Sequence, residues 1–203
     1  YKEALQIQES ALENIRQSPS RLPGHLYLLE HYPVITNGRF GKDDNYVLPL
    51  SQIEEMGVEV FNTERGGDLT YHGPGQLVSY PIIDLRSYKL GAKAYIHSLE
   101  QVIINLLADF GIDSFRRDSY PGVWTNNQKI ASIGVAVKNG ITMHGSALNV
   151  STDLDAFSMI VPCGISDVVV TSMEKTLGHS VSMEDVTNSF LNQFSKVFNA
   201  TII

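Results

Sequence analysis

The chain has 203 residues, is 43% hydrophobic and carries a formal net charge of −7. It is long enough to bury a full core, and its negative charge argues against a general nucleic-acid binder, since there is no net attraction to phosphate. No apolar run approaches the roughly 18 residues of a membrane-spanning helix, and no charged start followed by an apolar stretch indicates a secretory signal. Because Cys163 is the single cysteine, no disulfide forms within the chain, and we expect one cytoplasmic domain over residues 1–203.

Hydrophobic periodicity predicts helices and strands that interleave along the chain. An amphipathic helix is expected over residues 1–17, and the strongest helical pattern repeats apolar residues at three and four over residues 96–110, where Gly111 supplies the stop. The other predicted elements are strands over 24–31, 33–36, 58–61 and 76–85, a helical stretch over 50–56, a helical turn over 155–160, and a closing helix capped by Ser182.

Two strand-like runs, 129–137 and 141–150, meet at Asn139 and Gly140, which favour a type I′ hairpin turn. The turn sets a register in which Lys138 faces Ile141, Gly134 faces Gly145, Ser132 faces Ala147 and Lys129 faces Val150. The facing glycines predict a strip without side chains, against which an apolar chain could lie. A pair of bulge glycines is an equally good interpretation. Interleaved elements that include a hairpin predict an α/β (α+β) domain with a mixed sheet flanked by helices.

The segment 65–81 has the composition of a binding loop. Four of its residues are glycine and two are proline, which a purely structural strand would avoid. The same short segment is rich in polar side chains, which favours a binding site over an ordinary turn. It matches neither the phosphate loop that ends in Gly-Lys-Ser/Thr nor the spaced glycines of a dinucleotide fold, since Gln76 begins a strand.

Cys163 and Lys129 are the residues whose surroundings suggest chemistry. A lone cysteine is usually a buried core residue, but Pro162 and Gly164 place this one on a bend. A reactive thiol needs a neighbouring base or cation, and a lysine or a histidine can serve. Lys129 heads an otherwise apolar run, either as a strand-end charge or as a buried amine with a chemical role. No histidine pair has zinc-ligand spacing, so we predict no metal.

Four segments, in this order, resemble the signature of the lipoyl(octanoyl)transferase (LipB) family. They are RGGDLTYHGPGQ at 65–76, KIASIG at 129–134, HGSALN at 144–149 and PCGI at 162–165. The resemblance covers essentially the whole chain, and no catalytic position departs from the family pattern. The lipoate and biotin protein ligases share the family's fold but lack the cysteine in this context and the TYHGPG segment.

The resemblance implies the biotin/lipoate protein ligase-like catalytic domain and an acyl transfer in two halves. Octanoyl would pass from acyl carrier protein to Cys163, with Lys129 as its catalytic partner, and then to a lysine of apo lipoyl domains. The acceptors would be 2-oxoacid dehydrogenase E2 subunits and the glycine cleavage H protein, with no cofactor, neither metal nor ATP, and neither nucleic acid nor membrane as a partner. The implied substrate-binding residues are Arg65, Gly66, Gly67, Asp68, Leu69, Thr70, Tyr71, His72, Ser132, Ile133, Gly134, Gly145, Ser146 and Ala147, with His144 as a candidate supporting residue.

Two other functions stay open on the residues alone. One is an ATP-dependent ligase of free lipoate or octanoate, in which Arg65 and the two following glycines contact phosphate. The other is a non-catalytic module that docks a carrier domain. Both protein partners implied by the resemblance, the acyl carrier and the lipoyl domain, are typically acidic, so we predict that basic residues form a rim beside the pocket that docks them. These residues are Arg86, Lys89, Lys93, Arg116 and Arg117. The alternative is that these residues are scattered solvated charges.

Overall fold

The computed structural model describes residues 1–18, 24–117, 120–162 and 168–202. Its elements in chain order are α1 (Lys2–Gln17), β1 (His25–Leu29), β2 (Val34–Asn37), α2 (Leu50–Glu55), β3 (Glu59–Asn62), β4 (Thr70–His72), β5 (Gln76–Ile82), α3 (Ala92–Asp109), β6 (Gly122–Thr125), β7 (Gln128–Lys138), β8 (Ile141–Asn149), α4 (Met173–Leu177) and α5 (Met183–Phe198), with 3-10 turns at Asp43–Asn45 and Asp155–Met159.

Over these residues the strands form two sheets. The larger sheet has the order β1-β5-β8-β7-β6 and is antiparallel throughout. The smaller sheet has the order β3-β2-β4, with a parallel pair and an antiparallel pair. The α/β (α+β) class is therefore confirmed, although the mixed pairing is confined to the small sheet.

Helices cover both faces of the large sheet, which explains why every residue of β5 is buried. Because side chains alternate along a strand, Val78 and Tyr80 point to the face on which α1 packs through Ala11 and Ile15. Leu77 points to the opposite face, which α3 and α5 cover. A separate core beneath the small sheet contains Ile35, Ile53, Leu69, Tyr71 and Phe157.

The hairpin between β7 and β8 has the predicted turn and register over most of its length. Asn139 and Gly140 have φ angles of 53° and 86°, as a type I′ turn requires, and Gly134 lies opposite Gly145. Pairing stops at Ala131 and Leu148, so the expected pairing of Lys129 with Val150 is wrong. Lys129 instead donates its N–H to the Val169 carbonyl at 2.8 Å, because the returning chain takes that edge. The sequence patterns also missed β4, β6 and α4.

The facing glycines are not an open strip. A Cβ on Gly134 would lie 3.0 Å from both Arg65 Cδ and the Gly66 carbonyl oxygen, and one on Gly145 would lie 2.1 Å from the Ser79 carbonyl oxygen. The pairing runs through both positions in register, so they are not bulge glycines either. Gly134 instead permits the close approach of the 65–72 loop, and Gly145 permits the close approach of β5.

Pro81 interrupts the pairing between β5 and β8. It has no N–H to donate, and the register between the strands ends at Ser79 and Ser146. His144, beyond this point on β8, takes a φ of 58°, which is uncommon for a residue other than glycine. Its backbone N–H donates to Gln8 Oε1 of α1 at 2.7 Å. β8 therefore stops pairing with β5 here, while it stays paired with β7, and Gln8 of α1 accepts the hydrogen bond from the released N–H.

We expect Gly145→Ala to destabilise the fold more than Gly134→Ala does, although the two residues face each other. The alanine at position 145 meets a backbone oxygen, which cannot move without shifting β5, whereas at 134 part of the obstruction is the flexible Arg65 side chain. Overpacking of this kind costs about 1–3 kcal/mol. Urea unfolding of both variants measures the difference, and equal losses would contradict the assignment of close contacts.

Candidate functional site

A cavity of ≈ 380 Å³ lies on the α1 face of the large sheet. Its roof is the segment 65–72, and Tyr120 and Pro121, just before β6, also line it. Fourteen of the residues singled out in the sequence line it: Arg65, Gly66, Gly67, Asp68, Thr70, His72, Lys129, Ser132, Ile133, Gly134, His144, Gly145, Ser146 and Ala147. The fold therefore brings the three described signature segments to one mostly apolar cavity.

Leu69 and Tyr71 do not line this cavity, although both were expected to contact substrate. They alternate with Asp68, Thr70 and His72 along β4 and its approach, so their side chains point to the opposite face. Leu69 is fully buried in the second core, and the Tyr71 ring meets Phe157 edge-on at 5.5 Å. These two residues hold the loop down, while their neighbours face the cavity.

Sequence reasoning missed several lining residues. Val78 and Tyr80 could have been found by extending the alternation of β5 beyond the glycine-rich loop, because residues 76, 78 and 80 share a face. The others come from distant parts of the chain and left no pattern to read; they are Tyr1, Ile96, Tyr120, Pro121 and Val135.

Lys129 is buried, with 3% of its surface exposed, and its side chain runs over Gly122. A Cβ on Gly122 would lie 2.8 Å from Lys129 Cε and 3.5 Å from Nζ. Gly122 has a φ of 135° and donates its N–H to Glu100 Oε1 of α3 at 3.0 Å. Lys129 Nζ also lies 5.7 Å from the centre of the Trp124 ring, within range of a cation–π contact. Lys129 is therefore a buried amine rather than a strand-end charge.

Cys163 lies outside the described residues. The described chain on either side of it is anchored by backbone hydrogen bonds, from the Val161 N–H to the Asn45 carbonyl at 2.7 Å and from the Lys129 N–H to the Val169 carbonyl at 2.8 Å. Val169, six positions after Cys163 in the sequence, is thus bonded directly to the backbone of Lys129.

Arg65 is buried in the roof and fixes the start of the loop. Its Nε and Nη2 donate to Thr36 Oγ1 at 3.0 and 2.8 Å, and its Nη1 donates to the Gly66 carbonyl at 3.1 Å. Asp68 serves the same loop, because its Oδ1 accepts from the Leu69 N–H at 2.7 Å and its Oδ2 accepts from Asn45 Nδ2. Both charged side chains therefore shape the roof as well as lining the cavity.

Two buried histidines, His72 and His144, line the cavity with Arg65, and a third, His31, packs against His72 with ring centroids 5.7 Å apart. Burial lowers the pKa of His31 to about 4, of His72 to about 3 and of His144 to about 4, and the Arg65 guanidinium further lowers the pKa of His72 and of His144. All three rings are therefore neutral at physiological pH. His31 Nε2 bonds Tyr80 OH and His72 Nδ1 bonds Gln76 Oε1, each at 2.7 Å.

His144 differs from the other two histidines in its hydrogen bonding. Its Nδ1 is buried and has no hydrogen-bond partner among the described residues. Its ring packs edge-on against Tyr80, with centroids 6.3 Å apart.

The three arginines of the predicted basic rim do not lie together. Arg86 bonds Asp84 at 2.8 Å beside the hairpin tip, with its side chain near Gly140. Arg116 pairs with Glu100 at 3.1 Å, and Arg117 stacks 4.1 Å over Trp124, near the other end of β7. Each of these arginines contacts an acidic or aromatic side chain, and the contacts lie in two separate places. The sequence pattern did not predict these contacts.

Over the residues that the structure covers, no group of three or more His, Cys, Asp or Glu side chains is arranged to hold a metal ion. Within the same ranges, no helix is long and apolar enough to cross a membrane.

The family model described as "Lipoyl protein ligase A/B catalytic domain" matches residues 1–195. The octanoyltransferase of Caldicellulosiruptor saccharolyticus is 49% identical over 202 residues, covering 98% of this chain and 85% of the relative. That of Alkaliphilus metalliredigens is 46% identical over 204 residues, covering 100% and 93%. The chain belongs to the octanoyltransferase family. The resemblance of the four signature segments is thereby confirmed at the level of the family.

Solved structures of the lipoate protein ligases share the fold of this family member. One, titled lipoate-protein ligase A bound with ATP, is 19% identical with a TM-score of 0.75, covering 95% of this chain and 80% of that chain. Another, from the bi-partite ligase of Thermoplasma acidophilum, is 18% identical with a TM-score of 0.75, covering 97% and 80%. At these identities the likeness concerns the fold alone, and it confirms the expected ligase-like architecture.

The buried histidines predict how stability depends on pH. Because their folded-state pKa lies below the ordinary value of 6.5, the unfolded chain binds more protons than the folded one between about pH 6.5 and 4. The free energy of unfolding should therefore fall as the pH is lowered through this window. His31→Gln should reduce that slope by about 1 kcal/mol per pH unit. Urea titrations from pH 4 to 7 measure it, and an unchanged slope in the variant would contradict the buried neutral state.

Proposed function

We propose that this chain transfers octanoyl from an acyl carrier protein to a lysine of apo lipoyl domains through a thioester on Cys163. The observation that carries the proposal is a buried Lys129 at one end of a mostly apolar cavity, in a chain 49% identical to a named octanoyltransferase. The cavity suits an alkyl chain, and Lys129 supplies a charge that favours a nearby thiolate.

The reaction needs two acyl exchanges. In the first, the Cys163 thiolate attacks the carbonyl carbon of the donor thioester, and the carrier thiolate leaves and takes up a proton. In the second, the amine of the acceptor lysine attacks the Cys163 thioester, the nitrogen loses a proton, and the sulfur of Cys163 leaves. Lys129 Nζ is the group we assign to hold and return these protons. Because the donor is already a thioester, neither step requires ATP or a metal.

Partners and location follow from the same proposal. The donor is an acylated carrier protein, and the acceptors are the lipoyl domains of 2-oxoacid dehydrogenase E2 subunits and the glycine cleavage H protein. A cytoplasmic location, expected from the single cysteine, stays a prediction.

The chain should gain the mass of one octanoyl group when it is mixed with octanoylated carrier protein, and lose it when an apo lipoyl domain is added. Cys163→Ala should show neither event, and Cys163→Ser should be strongly impaired, because a hydroxyl lacks the nucleophilicity of a thiolate. Intact-mass spectrometry measures both steps. Full transfer by Cys163→Ala would end the covalent proposal.

The same assay separates the ligase alternative. Octanoate with ATP, in the absence of carrier protein, should give neither an octanoyl adduct nor an octanoylated lipoyl domain. Efficient octanoylation under those conditions would favour an adenylating ligase over the transfer proposed.

Lys129→Met should lower the transfer rate by 10²-fold or more and should move the iodoacetamide labelling curve of Cys163 to higher pH. The methionine keeps an unbranched chain over Gly122 but removes the charge and the proton. Lys175→Met, at an exposed position on α4, is the matched control and should leave the curve in place. A wild-type labelling curve in Lys129→Met would transfer this role to another residue.

A further inference from the structure

Lys129 and His144 both line the cavity, and their separation can be read from the strand register. The Lys129 side chain runs to Gly122, so that a Cβ there would lie 3.5 Å from Nζ, and Gly122 is paired with Ser132. His144 is paired with Val135. From Ser132 to Val135 is three residues, or about 10 Å at about 3.3 Å per residue.

An extended octanoyl chain has nearly this length. An extended chain advances about 3.5 Å for every three bonds, so the seven carbon–carbon bonds of octanoyl span about 8 Å. If the carbonyl lies beside Lys129 Nζ, the last carbon reaches the level of Gly145, immediately before the His144 ring. This step rests on the proposed function, since it takes an acyl thioester as the occupant.

We propose that His144, with Tyr80 beside it, is the end wall of the acyl channel and limits the acyl chain to about eight carbons. Ala147 and Val78 lie opposite each other on β8 and β5, at the level of Ser132, and form the channel floor at the end nearest Lys129. The space for the acyl chain lies over β8 and β5, because Arg65 and Gly66 already occupy the space above Gly134.

The end wall is held so that it cannot move aside for a longer chain. Tyr80 OH is bonded to His31, and the backbone of His144 is bonded to Gln8. Tyr80 and His144 are 4% and 3% exposed. Behind them, Ala11 and Ile15 of α1 pack on the same face of the sheet, so the wall is backed by a helix rather than by solvent.

His144 Nδ1 is already buried and has no hydrogen-bond partner among the described residues, so an acyl chain takes no water from it. The wall therefore limits chain length by its shape. A chain of ten carbons would meet the ring, whereas a chain of eight carbons stops before it.

The test is the acyl-length profile of His144→Gly. Glycine suits the positive φ at this position and removes the ring while keeping the N–H bonded to Gln8. The rate of Cys163 acylation by small hexanoyl, octanoyl, decanoyl and dodecanoyl thioesters is followed by mass spectrometry. The ratio of decanoyl to octanoyl rates should rise by about tenfold, since two further methylenes become buried. His144→Asn, which also tolerates this φ, replaces it if the glycine variant does not fold.

Two further variants sharpen the result. Ala147→Val narrows the floor at the end nearest Lys129, so it should slow acylation by all four thioesters and leave the decanoyl-to-octanoyl ratio unchanged. Val137→Ala, an exposed position on the same hairpin outside the channel, should leave the profile unchanged. An unaltered decanoyl-to-octanoyl ratio in His144→Gly and His144→Asn would overturn the proposal.

A failure of the transfer chemistry is distinguishable from a failure of the end wall. Calorimetric binding of unreactive octyl and decyl thioethers to the Cys163→Ala protein gives the same comparison without a chemical step. If the wild-type chain forms no adduct but His144→Gly improves decyl over octyl binding, the acyl transfer is wrong and the end wall stands. If octyl and decyl thioethers bind equally well to the protein with the His144 ring and to the His144→Gly variant, the end-wall proposal is wrong.

Discussion

The cavity depends on the contact that fastens the glycine-rich segment to the free edge of β7. Gly66 donates its N–H to the Val135 carbonyl at 2.9 Å, and the Arg65 side chain lies directly over Gly134. A Cβ at position 134 would lie 3.0 Å from both Arg65 Cδ and the Gly66 carbonyl oxygen, so glycine leaves room for this approach. Leu69 and Tyr71 anchor the other side of the segment in a separate core, so its polar residues are held over the sheet as a roof. Without this contact the large sheet would be open to solvent where the acyl group is proposed to bind.

The polar groups around the cavity are arranged to keep buried charge low. Three histidines lie near the Arg65 guanidinium, and burial keeps them neutral, so they provide hydrogen bonds without adding to the positive charge of Arg65 and Lys129. Because these histidines are buried, the free energy of unfolding falls at acidic pH, where the unfolded chain takes up protons before the folded chain does. The same neutrality lets the far end of the cavity be aromatic and tightly packed, as an end wall for an alkyl chain requires.

Fold and chemistry separate cleanly in this family. The lipoate ligases with bound ATP have the same architecture at less than 20% identity, so the architecture alone does not select between ligase and transferase. Nearly half of the residues are shared with named octanoyltransferases over the full chain. The features proposed to serve acyl transfer are local: the thiol of Cys163, and a buried Lys129 whose side chain runs over Gly122, which is itself bonded to Glu100.

Sequence by itself determined the elements with strong local signals. The helix α3 and the Asn139–Gly140 turn depend on residues close together in the chain, so their class and register were predictable, and the four motifs named the family. Only the tertiary structure decided what the glycines at 134 and 145 were for, because their neighbours come from the 65–72 loop and from β5. The same is true of the wrong pairing of Lys129 with Val150, of the separation of the arginines, and of the strained His144. In each case the structure was decided by a group that the local pattern does not show. Local periodicity does not indicate which group will bond a backbone N–H, pair with a charge or pack against a glycine.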